Sequence, residues 1–174
     1  MDIFILIPLI VGTGLAVFSD VRDRKIPNLL TYPMMLSGLI YHCICNGLAG
    51  LGFSTMGLIV GTVIFITPYF LGGMGAGDAK LMGGVGALLG TSSVIVAAVL
   101  SILFGLVYAI VLLLIHRDYG RSFLTRSWIT IKTFILTLQW VPIPAEKEEE
   151  QPVLCYAVPI AVGTIFTVFL IVTN

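Results

Sequence analysis

Charge is what this chain has least of. Of its 174 residues, only 10% are charged. A soluble domain carries about 25%. With 58% hydrophobic residues and a mean hydropathy of +1.08, that shortage excludes a soluble fold with one greasy patch. The chain reads as an integral membrane protein. Cysteine is scarce too. Three residues, an odd count, give no disulfide framework. Cys43-Ile44-Cys45 stands without further ligands nearby, which argues little for metal. The two histidines, His42 and His116, are far in sequence from the aspartates discussed below, and packing roles are expected for them and for the cysteines. There is no repeat at a fixed period and no linker of domain-separating length, so one polytopic domain over 1–174 is expected. A basic n-region is missing as well, and Ser19-Asp20 is a poor cleavage site, so the first apolar stretch is expected to be a retained span.

What is present is a series of long apolar stretches. A membrane-crossing helix needs about 20 mostly apolar residues. Such stretches cover roughly 2–18, 29–46, 51–71, 93–115 and 153–173, with a shorter glycine-rich one at 79–91. The few cations fall in three places: Arg22, Arg24 and Lys25; Lys80; and Arg117, Arg121, Arg126, Lys132 and Lys147. The connections near 46–51 and 91–93 carry no charge. By the positive-inside rule the three charged segments face the cytoplasm and both termini lie outside. That orientation requires an even number of spans. The expected fold is therefore all-α, with six transmembrane helices.

Glycine has positional meaning here. Gly57/Gly61, Gly73/Gly77 and Gly86/Gly90 have the spacing that lets membrane helices approach closely. Gly50, in an outer connection, is expected to accept alanine. Residues 121–139 divide into an apolar side with Phe123, Trp128 and Ile135 and a polar side with Arg121, Arg126 and Lys132. This predicts an amphipathic helix lying on the cytoplasmic surface. The stretch ending in Glu148-Glu149-Glu150 is a solvated acidic loop.

Against this background the carboxylates stand out. Asp78 closes the run Gly72-Gly73-Met74-Gly75-Ala76-Gly77-Asp78. A carboxylate near lipid depth is costly and usually has a job. Asp20 and Asp23 follow the first apolar stretch, and the charge topology puts Asp20 on the same side as Asp78. Two carboxyls at close range do not both ionise easily, and they share a proton. One can take a proton from water while the other donates to a peptide carbonyl. Each also has a structural reading: Asp20 and Asp23 as juxtamembrane charges, Asp78 as a helix cap. Lys80 could attract an acidic group, tune Asp78 or snorkel to lipid phosphate, and the last is favoured.

The run Gly75-Ala76-Gly77-Asp78-Ala79-Lys80-Leu81-Met82 resembles the signature of type IV prepilin peptidases, whose GxGD element is shared with other intramembrane aspartyl proteases. Asp20 with Ile26-Pro27-Asn28 is similar to the other half of that signature, and Asp23 lacks the offset. Tyr156-Ala157-Val158-Pro159-Ile160-Ala161 is similar to the family's last helix. The resemblance implies cleavage of prepilin or pseudopilin leaders after a glycine at the cytoplasmic face of a bacterial or archaeal inner membrane. It assigns Asp20 and Asp78 as catalytic, and Gly75, Gly77, Lys80, Pro27 and Asn28 as loop or substrate-binding residues. Longer members methylate the new N-terminus and carry paired CxxC elements. No CxxC occurs here, so no metal or other cofactor and no methyltransferase activity is expected. The subtype resembled is the tight-adherence (Flp) pilus peptidase. The expected partners are prepilin leaders and the lipid bilayer, not nucleic acid, with the oligomeric state open. Two other classes are kept: a proton- or ion-coupled transporter using Asp78, and a non-catalytic membrane subunit of a pilus or secretion machine.

Overall fold

The computed structural model describes residues 2–70, 74–115 and 154–173. They form four helices: α1 (Ile3–Asp23), α2 (Asn28–Phe70), α3 (Ala76–Ile115) and α4 (Ala157–Thr173). No strand occurs among the described residues. The chain divides into two compact units, Met1–Gly105 with Cys155–Asn174, and Leu106–Leu154. The site lies wholly in the first. Residues 121–139, expected as a surface helix, lie outside the described residues, as do His116, the acidic stretch and Gly72-Gly73.

The two long helices are each broken at one glycine. Gly47 has φ 57 and ψ −140, and Gly90 has φ 79 and ψ 177. A side chain is strongly disfavoured in such backbone. Both breaks reverse the chain. In a straight helix His42 and Gly50 would lie about 12 Å apart, yet a Cβ added at Gly50 would strike the His42 carbonyl oxygen. Met82 and Val94 would lie about 18 Å apart, yet both abut Gly61, at 2.5 Å (Met82 O) and 3.0 Å (Val94 Cγ2) from an added Cβ. So the connections expected near 46–51 and 91–93 shrink to single residues. The expectation for Gly50 is corrected too, because alanine there collides with backbone.

Packing follows the small residues. In the segment 76–89, every residue from Leu81 to Leu89 is buried. Glycines let neighbours reach its backbone. A Cβ at Gly57 would strike the Gly86 carbonyl oxygen, and one at Gly86 would strike that of Gly57. One at Gly38 would lie 2.6 Å from the Ala87 carbonyl. α1 adds a stripe of Ile5, Leu9, Thr13 and Ala16 and packs on α2 and α4. The outer faces keep apolar side chains such as Phe4, Phe18, Leu29 and Leu48 exposed. By length and composition α1, α2 and α3 can cross a membrane, and α4 is a shorter apolar helix.

Candidate active site

Three helix ends meet at the site. α1 ends at Asp23 with Arg24 as its cap, in left-handed backbone at φ 54 and ψ 31. That conformation costs a residue with a Cβ roughly 1–2 kcal/mol. It is held by the Arg24 N–H, which donates to the Asp20 carbonyl oxygen at 2.9 Å. The Ser19 hydroxyl fixes the next residue by donating to the Lys25 carbonyl oxygen at 2.9 Å. The turn brings Ile26-Pro27-Asn28 directly to the start of α2.

Asp78 is the third residue of α3 and only 7% exposed. Its Oδ2 accepts the Gly75 N–H at 3.0 Å, while the Asp78 N–H donates to the Gly75 carbonyl oxygen at 3.1 Å. The carboxylate thus satisfies an orphan donor at the helix start, in the manner of a capping box. The helix dipole favours an anion there.

Asp20 is half-buried and is likewise placed at a helix start, that of another helix. Its Oδ2 accepts the Ala157 N–H, the first of α4, at 3.1 Å. The Cys155 thiol donates to the Asp20 carbonyl oxygen at 3.8 Å. Burial pushes the Cys155 thiol up, with the Asp20 charge adding to the effect and Arg24 opposing it. A thiol kept protonated is a poor nucleophile.

Asp20 and Asp78 line one cavity of about 290 Å³, with Gly75, Gly77, Asn28 and Lys80. Pro27 is not among the lining residues. It is exposed and immediately precedes α2, its carbonyl oxygen accepting the Leu30 N–H at 3.0 Å. Asp23 points elsewhere, 3.9 Å from Arg22 on the exposed surface. Lys80 does not reach outward as expected. Its Nζ donates to Asn28 Oδ1 at 2.8 Å and sits 5.4 Å from the centre of the Tyr32 ring, so it ties the start of α3 to the start of α2. The close approach at Gly77 is made by Ile26, whose Cβ would lie 2.9 Å from an added Cβ. At Gly75 the neighbour would be Asp78 Oδ2, at 3.3 Å. His42 is remote from the cavity in the fold. Its Nε2–H donates to the Leu88 carbonyl oxygen at 3.0 Å.

Sequence reasoning missed three contributors. Arg24 and Lys25 also line the cavity, although their charge alone marks topology. The Ala157 N–H carries no side-chain signal at all.

Apolar helices, three of them long enough to cross a membrane, define a helical membrane protein with a cavity lined by two carboxylates, each of which caps a helix start. The model of the type IV leader peptidase family matches residues 7–110, a stretch that holds Asp20 and Asp78. The chain belongs to that family. Among curated proteins it is similar to the prepilin leader peptidase/N-methyltransferase of Aeromonas salmonicida, 29% identical over 128 residues. That match covers 66% of this chain and 44% of the relative. The protein of the same name from Neisseria gonorrhoeae is 31% identical over 122 residues, covering 64% of this chain and 42% of the relative. The chain therefore spans less than half the length of these relatives. No solved structure matches it.

Proposed function

We propose that the chain is an aspartic endopeptidase of the inner membrane that removes the leader of type IV prepilin-like substrates, cutting after a glycine at the cytoplasmic face. The observation that carries this reading is the cavity shared by Asp20 and Asp78 in a member of the leader peptidase family. In the proposed reaction the ionised carboxylate takes a proton from water as the water oxygen bonds to the scissile carbonyl carbon. The protonated carboxyl gives its proton to the carbonyl oxygen. The tetrahedral species then collapses. The C–N bond breaks and the leaving nitrogen takes up a proton. Gly75 leaves room beside Asp78 for a peptide backbone, Gly77 admits Ile26 to the turn, and Lys80 with Asn28 holds the cavity rim. The proposed topology has six spans, with the reversals at Gly47 and Gly90 outside and both termini outside. Peptidase action without N-methylation is expected.

The test is co-expression with a prepilin. Leader loss should appear as a mass shift with the wild-type chain and vanish with Asp20→Asn or Asp78→Asn in membrane-inserted protein. Cleavage by either variant at the wild-type rate would remove the dyad.

A further inference from the structure

Lys80 shares the cavity with Asp20 and Asp78, yet no ion pair joins it to either. The ion pair found among the described residues is Arg22 with Asp23. Spacing explains part of this. Residues two apart on a helix do not face each other, so Lys80 leaves α3 on a different side from Asp78. Its Nζ meets Asn28 Oδ1 at 2.8 Å and stands 5.4 Å from the centre of the Tyr32 ring. Asn28 and Tyr32 are four apart on α2 and share a face, and together they seat the ammonium. An ammonium only donates, so the Asn28 atom that meets it is the oxygen, and the orientation of the amide follows. The remaining N–H groups of the ammonium, and both of the amide, have no hydrogen-bond partner among the described residues. Both side chains line the cavity. Lys80 is half-buried and Asn28 exposed, so these donors are open to an incoming chain. The lining also includes Gly75, Ala76 and Gly77. None of these has a side chain larger than a methyl, so that stretch offers little to read a substrate side chain.

Resting on the peptidase reading, we propose that Asn28 and Lys80 form a main-chain subsite, donating hydrogen bonds to carbonyl oxygens of the substrate backbone beside the scissile bond. A peptide drawn from an apolar environment needs partners for its carbonyls. Main-chain hydrogen bonds give an extended peptide its affinity whatever its side chains are. A helical segment spends the same carbonyls on its own N–H groups. The subsite therefore selects a stretch that is extended at the cut, and reads its conformation in preference to its sequence.

The experiment is steady-state cleavage of a purified prepilin by the full chain in detergent, with thermal unfolding measured on the same samples. Asn28→Asp is the decisive variant. A carboxylate there keeps the tie to Lys80, now as an ion pair, so a merely structural role is preserved. It removes both amide donors and sets an anion against the substrate carbonyl. Unfolding is expected at the wild-type temperature or above, with kcat/KM lowered at least about tenfold, chiefly through KM. An unchanged kcat/KM overturns the proposal. A second arm stands even if Asn28→Asp does not fold. Single peptide bonds beside the cut are replaced by esters, whose carbonyl is a weaker acceptor. At one position or more KM should rise for wild type and not for Lys80→Met. An equal rise in both enzymes, or none in either, overturns the proposal. A substrate carboxylate is the competing ligand, since Arg24 and Lys25 also line the cavity. Prepilins with each Asp or Glu near the cut changed to Asn or Gln should keep the Asn28→Asp penalty. Its disappearance in one of them assigns the pair to that side chain and overturns the main-chain reading. Wild type inert on every prepilin would sink the peptidase reading itself. Wild type active with Asn28→Asp equally active sinks only this inference.

Discussion

The buried segment 76–89 has two ends built on opposite principles. At one end the break at Gly90 frees the carbonyls of the last turn. The Ser54 hydroxyl donates to the Ala87 carbonyl oxygen at 2.6 Å, and His42 donates to that of Leu88. The Phe53 ring covers Gly90 and lies 5.1 Å from the His42 ring. Two of the freed carbonyls thus find side-chain donors, the kind of partner a lipid environment demands. At the other end the same segment opens on a cavity with two carboxylates and three cations. Each carboxylate holds a single backbone N–H on one oxygen. Freed carbonyls are capped where the segment is locked, and carboxylate oxygens keep spare acceptor capacity at the cavity where the proposed substrate would enter.

The contrast can be broken from either side. The largest effect is expected at the open end. Asp20→Asn and Asp78→Asn should each lower cleavage by about 100- to 10,000-fold while unfolding temperature in detergent stays near that of wild type. Asp23→Asn should cleave normally, since Asp23 faces Arg22 on the surface. A dead Asp23 variant beside an active Asp20 variant would reverse the assignment. Next comes Gly77→Val. It presses on Ile26 and should abolish prepilin processing with the protein still inserted, as read by mass shift and membrane fractionation. Full activity would show that the turn tolerates bulk.

At the locked end the readout changes from activity to stability. Gly57→Val sets a side chain against the Gly86 carbonyl, and overpacking of this kind costs about 3 kcal/mol. Thermal unfolding should fall sharply, and the surviving folded fraction should keep the wild-type KM. Smaller again is His42→Ala, which orphans the Leu88 carbonyl at about 1–3 kcal/mol. A cleavage defect without a stability defect there would mean the two ends are coupled. The smallest effect is expected from Gly52→Ala, because an added Cβ meets nothing within 4 Å. Gly50, two residues away, should not share that tolerance.

Charge placement and the two aspartate runs were enough to put Asp20 and Asp78 on one side, because a scarce charge in an apolar chain has few places to go. The helical stretches were legible for the same reason. The turns were legible in place, near 46–51 and 91–93, but not in form, since a single glycine in unusual backbone leaves no periodicity to detect. Gly77 was legible as a glycine that must stay small, but the cause was not, since Ile26 reaches it only through the tertiary fold. The hold of α4 on Asp20 was invisible. A backbone N–H is common to nearly every residue, and only folding decides which one reaches a carboxylate 137 positions away.

That last bond has a consequence for the order of synthesis. The two aspartates and the glycine turn emerge within the first half of the chain, yet the donor that holds the Asp20 carboxylate emerges near its end. A nascent chain released before Cys155 would carry both acids and the whole run from Gly75 to Met82, but Asp20 would swing without the α4 donor. The site is therefore finished late, when α4 docks.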